Sequence, residues 1–132
     1  MVYLIRRGES DVYKIGMSVI PTLRLKSLQI SSPEKLSMIA CTEIGAIGNC
    51  RQMEIMLHKH LQKYRIHGEW FELPANKVAD IVVLFDAVEL LGDRIISDLR
   101  KMNSESLQVF IKKAARIMLD SERGYPDQNK MF

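Results

Sequence analysis

Apolar and polar positions along the chain change period several times. Val2–Ile5 is an apolar run, Arg6–Asp11 interrupts it with polar residues and Gly8, and Val12–Ile15 resumes it. Two short strands joined by a turn are expected. Side chains alternate across a strand, so Tyr13 and Ile15 should face one way and Val12 and Lys14 the other. A lysine on such a strand sits at an edge or faces a groove where its charge has a task. Gly16 closes the second strand. Pro21 suits a first helical turn, where its missing N–H would be unpaired anyway. A helix is expected from about Ile20 to Ile30, with Leu23, Leu25, Leu28 and Ile30 available for its core face. Ser31–Ser32–Pro33 ends it, because the residue before a proline avoids the helical region. Leu36–Ile44 reads as a third strand, with Leu36, Met38, Ala40 and Thr42 on one face.

Cys50, Met53, Leu57, Leu61 and Tyr64 then recur at steps of three and four, the pattern of an amphipathic helix over about 46–64. Arg51, Glu54, His58 and Arg65 form a polar stripe beside it. Gly68 is a stop signal, Glu69–Leu73 a short extended piece, and Pro74 favours another helix over about 75–90. Ser104 resembles the N-cap of a last helix, with the apolar stripe Leu107, Phe110, Ile111, Ala114, Ile117 and Met118. Residues 122–132 are polar, contain Gly124 and Pro126, and read as a flexible tail. The expected division is a core over 1–73, a helical extension over 74–121 that packs on the core or on a partner, and the tail.

Composition narrows the partners. A chain of 132 residues suits one domain. Of its net charge of +3, all lies in residues 1–73, with ten Lys/Arg against seven Asp/Glu; the remainder has nine of each. A phosphate-facing surface therefore belongs in the first part. Cys41 and Cys50 fit free thiols in a reducing compartment, and no CxxC pair suggests structural zinc. The first apolar stretch is too short for a signal peptide. No run approaches the length of about 20 residues that a membrane span needs. A cytoplasmic, non-membrane protein is expected.

Met1–Val2–Tyr3 and Lys14–Ile15–Gly16 carry a resemblance to the GIY-YIG endonuclease superfamily, standing where Gly-Ile-Tyr and Tyr-Ile-Gly would. Arg24 follows Gly16 at the separation of the family's arginine. Arg24–Leu25, Leu28–Gln29, Pro33, Leu36, Glu54–x–x–Leu57–His58 and Arg65–x–x–Gly68–Glu69–Trp70–Phe71 are similar to its phage-associated, Orf172-like branch, described as DNA-binding. The resemblance covers about 2–73. It implies an α+β fold: a small domain with a three-stranded, mainly antiparallel sheet flanked by helices, followed here by C-terminal helices.

The resemblance also implies a DNA-binding, metal-dependent endonuclease that hydrolyses phosphodiester bonds. Its catalytic set would be Tyr3, Lys14, Arg24, Glu54 and His58. Glu54 would hold Mg²⁺ or Mn²⁺, polarising the phosphate and stabilising the leaving oxygen. Arg24 would grip that phosphate through its fork of donors. Tyr3 would act as base or water-orienting group. A free tyrosine with a pKa of about 10 is a poor base at neutral pH, so the role needs a nearby positive charge, which Lys14 could supply. His58 lies on the helix face of Glu54 and could share the metal, contact phosphate or move a proton. Lys14, Arg24, Lys26, Arg51 and Arg65 are the candidate nucleic-acid contacts. Gly16, Trp70 and Phe71 read as structural, and Gly68 and Glu69 as setting a turn. Lys14 replaces the second namesake tyrosine, and no asparagine counterpart follows Glu54. Two other readings therefore stand beside the nuclease: a DNA-binding module with weak or no catalysis, and an assembly protein that forms a homodimer through 104–120.

Overall fold

The opening hairpin is present. β1 (Val2–Arg7) and β2 (Val12–Met17) pair antiparallel across a turn containing Gly8, whose φ of 57° lies in the left-handed region that favours glycine. β3 (Leu36–Thr42) pairs antiparallel with the other edge of β1. The computed structural model describes residues 1–130, with side chains through Asp120. Its helices are α1 (Pro21–Ile30), α2 (Ile47–His60), α3 (Ala75–Leu91), α4 (Ile95–Lys101) and α5 (Ser104–Lys130). The tail expected over 122–132 lies outside the residues whose side chains are described.

The sheet corrects the expectation of three strands. β4 (Arg65–His67) and β5 (Trp70–Glu72) form a second hairpin, turning at Gly68 with φ of 54°. β5 pairs antiparallel with β2, giving a five-stranded antiparallel sheet in the order β3-β1-β2-β5-β4. Three-residue strands are too short to carry a period in the sequence. Gly68, read both as a helix stop and as setting a turn, is the hairpin turn. The long helix ends at His60, and a single 3₁₀ turn, Gln62–Tyr64, leads into β4.

A second correction concerns β3. Its pairing with β1 steps from Leu4↔Ala40 to Ile5↔Met38, so Ile39 is an extra residue. Such a bulge inverts the alternation of side chains. Leu36 and Met38 consequently face α1, while Ala40 packs on the opposite side and Thr42 donates its hydroxyl to the Phe85 carbonyl of α3.

The two faces of the sheet are unequal. Val2, Leu4, Tyr13, Ile15 and Phe71 pack against α2, α3, α4 and α5 in one continuous core. Tyr3, Ile5 and Leu36 face the other way and are covered by Leu25 and Leu28 of α1, with Trp70 beside them. Leu23 and Ile30 stay exposed, so α1 buries a narrower stripe than its sequence offers. Gly92, with φ of 91°, ends α3 and lets α4 return Ile96 and Leu99 to the main core. The cap of α5 is Asn103 rather than Ser104: the Asn103 side-chain oxygen accepts from the Ser106 N–H at 2.8 Å. No helix among the described residues is long and apolar enough to cross a membrane. Both cysteines are free, Cys41 exposed and Cys50 buried.

Candidate nucleic-acid interface

The site forms where β1 and β2 run past the end of β5. Tyr3 pairs with Gly16 across the two strands, and its ring is only 1% exposed. A Cβ on Gly16 would lie 2.5 Å from the Tyr3 Oη and 2.7 Å from the Glu69 Oε2. The phenol and the Glu69 carboxylate therefore meet in the space that the missing side chain leaves. Glu69 is fixed there by its backbone, whose carbonyl accepts from the Ile15 N–H at 3.0 Å. Lys14, paired with Trp70 of the neighbouring strand β5, is 7% exposed. Its Nζ lies 3.4 Å from the Glu69 Oε2 and 5.5 Å from the centre of the Trp70 ring. The Arg7 guanidinium also lies over that ring, at 5.7 Å.

Helix α2 closes the same edge from the other face. β5 reaches only as far as Lys14↔Trp70, so the next carbonyl of β2 has no strand partner. The His58 Nε2 donates to that Ile15 carbonyl at 2.9 Å, with the imidazole packed edge-on against Phe71 at 5.0 Å. His58 thereby ties α2 to the strand, and its Nδ1 is the ring nitrogen left for other work. Glu54, one turn earlier, is half-buried. Burial raises its pKa above the ordinary carboxylate range, and Glu69 adds to the rise; His58, Lys14 and Arg51 oppose it. Burial likewise raises the pKa of Tyr3. The Arg24 guanidinium beside the phenol works in the opposite direction, while the charges of Glu69 and Glu54 reinforce burial. At neutral pH Tyr3 is an O–H donor.

Tyr3, Lys14, Gly16, Arg24, Glu54 and His58 are thus gathered in one cluster at the open edge of β2, which α1 reaches from one face of the sheet and α2 from the other. Arg51 is exposed on α2 and acts on Glu54 through its charge, and Lys26 is exposed on α1. Arg65 is not brought to this cluster. It lies on β4, beyond β5, paired with Phe71, and is exposed. Phe71 is fully buried, and Trp70 is a half-buried platform for two cations. Glu69, expected only to set a turn, stands instead inside the cluster beside Tyr3 and Lys14. Its signal was available only as a position, immediately after the turn glycine and before the strand that pairs with β2.

Residues 1–86 match the model of the T5orf172 domain. The chain belongs to the T5orf172 family. That places it in the GIY-YIG, phage nuclease-associated group, as an Orf172-like DNA-binding domain. The T5orf172 match runs past β5 and into α3, so it takes in the whole sheet and every residue of the cluster. No curated protein and no solved structure matches the chain. Among the described residues, no group of three or more His, Cys, Asp or Glu side chains is arranged to hold a metal ion.

Proposed function

We propose that this domain binds duplex DNA by seating a backbone phosphate in a groove at this cluster, held by Arg24 and the Tyr3 hydroxyl. The observation that carries this reading is the meeting of an exposed arginine with a buried, protonated phenol over a glycine. Arginine offers a planar fork of donors to phosphate oxygens, and the phenol adds a donor of fixed position. Arg51 and Lys26 stand on the exposed surfaces of α2 and α1 and would extend the contact along the backbone. Such binding is sequence-independent at its core and weakens with salt. Fluorescence anisotropy of a labelled duplex across a salt series tests it. Arg24→Ala is expected to weaken binding by about tenfold and to lower the salt slope by about one unit. An affinity indifferent both to salt and to Arg24→Ala would refute the reading.

Cleavage is the second reading, favoured by a carboxylate, Glu54, close enough to Tyr3 and Glu69 for its charge to be felt by both. Glu54 would hold Mg²⁺ or Mn²⁺, which bind through few carboxylates when phosphate and water fill the remaining positions. The ion would supply charge stabilisation at the phosphate and help the leaving oxygen. Only a sparse donor set surrounds it, which is why DNA binding is the better-supported activity. Nicking of a supercoiled plasmid with either ion, lost in Glu54→Gln, would establish the second reading.

A second copy of this chain is the partner proposed for α5. Leu107, Ile111 and Ala114 are buried within the domain, but Leu90, Leu91 and Ile117 remain exposed around an apolar recess between α3 and α5.

A further inference from the structure

The proposed phosphate contact leaves Lys14 and Glu69 without a role. A lysine head is strongly hydrated and is costly to bury without compensation. Here the compensation has two parts, the Glu69 carboxylate at 3.4 Å and the face of Trp70 at 5.5 Å. Glu69 is partly exposed, and it is held by the β4–β5 turn and by the bond from the Ile15 N–H. The charged groups around this pair are Arg7 from β1, Arg24 from α1, and Glu54 and His58 from α2. Lys14 is therefore buried and already paired, whereas Arg24 stands exposed.

We propose that Glu69 is a positioning residue that holds Lys14 in reserve, clamped between its carboxylate and Trp70, so that Lys14 reaches a DNA phosphate only when Glu69 releases it. This inference rests on the DNA-binding groove proposed above. Arg24 makes the first contact. Lys14, on a flexible four-carbon stem, can then exchange one anion for another without passing through an unpaired buried state. In the resting protein the clamp subtracts one cation from the groove.

The test uses the full chain and Glu69→Gln, which keeps the shape of a partly exposed side chain and removes its charge. Amine labelling followed by mass spectrometry reads the clamp directly. Lys14 should label far more slowly than exposed Lys26 in the wild type, and Glu69→Gln should remove most of that difference. Trp70 is the chain's single tryptophan, so its emission reports the departure of the ammonium from its ring. Binding to a 20-base-pair duplex should tighten by about threefold or more at low salt, with the salt slope steeper by about one unit, because one more cation engages phosphate. Lys14→Met combined with Glu69→Gln should lose the steeper slope. Labelling of wild-type Lys14 at rising salt gives a readout without substitution, since screening loosens the clamp. If Arg24→Ala weakens binding while Glu69→Gln changes neither Lys14 labelling nor the salt slope, the groove stands and the reserve role falls. If no form shows salt-dependent binding, both fall.

Discussion

Gly16→Ala is the sharpest test of how this groove is built. The new methyl would lie 2.5 Å from the Tyr3 Oη, 2.7 Å from the Tyr3 Cζ and 2.7 Å from the Glu69 Oε2. The Glu69 carboxylate is the end of a flexible, partly exposed chain and can move aside. The Tyr3 ring cannot, because it is 1% exposed and packed with Ile5, Leu25 and Leu28. Overpacking a well-filled site costs about 1–3 kcal/mol. Against it stands the gain of about 0.4–1 kcal/mol from restricting the unfolded chain, available because Gly16 does not have a positive φ. The steric term wins, leaving a loss of about 1–2 kcal/mol. Urea unfolding measures it. With a slope of about 2 kcal/mol/M, the midpoint should fall by roughly 0.5–1 M at unchanged slope. Adding Tyr3→Phe should recover only part of the loss, since Cζ remains in the way. A Gly16→Ala protein as stable as the wild type would refute the close approach of Tyr3 and, with it, the reason for a glycine at that position.

His58→Ala should cost about 1–3 kcal/mol in the same assay, because the Ile15 carbonyl loses its donor and Phe71 its edge contact. Glu54 has a raised pKa, so its native carboxyl holds its proton more tightly than the unfolded one. That contribution is fully present below the unfolded pKa and is lost as pH rises through the folded value. Glu54→Gln should therefore leave stability unchanged at acid pH and raise it relative to wild type above the carboxylate range, as read by thermal unfolding across pH. Tyr3 should ionise above the ordinary tyrosine range in an ultraviolet titration, and Glu69→Gln should bring its transition to lower pH by removing one of the charges that raise it. Leu91→Glu or Ile117→Glu should convert a dimer to a monomer in analytical ultracentrifugation; a wild-type monomer at high concentration would refute the self-association surface.

The fold was legible where a segment was long enough to carry a period. The opening hairpin, α1, α2, α3 and the start of α5 all follow from apolar recurrence and from proline or glycine punctuation. What escaped was shorter than one period or depended on a partner. β4 and β5 have three residues each; Glu69–Leu73 was legible as extended, but only the pairing of β5 with β2 and of β4 with β5 makes them strands of the sheet. The bulge at Ile39 is set by the register against β1, so nothing local to β3 could show that Leu36 and Ala40 face opposite sides. Helix α4 is a single short segment recovered only because Gly92 releases the chain back onto the core.

The groove divides along the same line. Tyr3, Arg24 and Glu54 were found through resemblance, and each was assigned a role by itself. Their environments add what spacing could not. Burial and two carboxylates keep Tyr3 protonated, which suits a donor to phosphate and disfavours a base. Lys14 was expected to lower the proton affinity of Tyr3, yet its nearest charged neighbour is Glu69, whose carboxylate acts on Tyr3 in the opposite sense. One substitution in the namesake motif, lysine for tyrosine, thus comes with a paired anion in the next hairpin. On the proposed reading they leave the phosphate to Arg24 and Tyr3 and turn the position of the second motif into a paired charge, an arrangement better matched to holding a phosphate than to cleaving it.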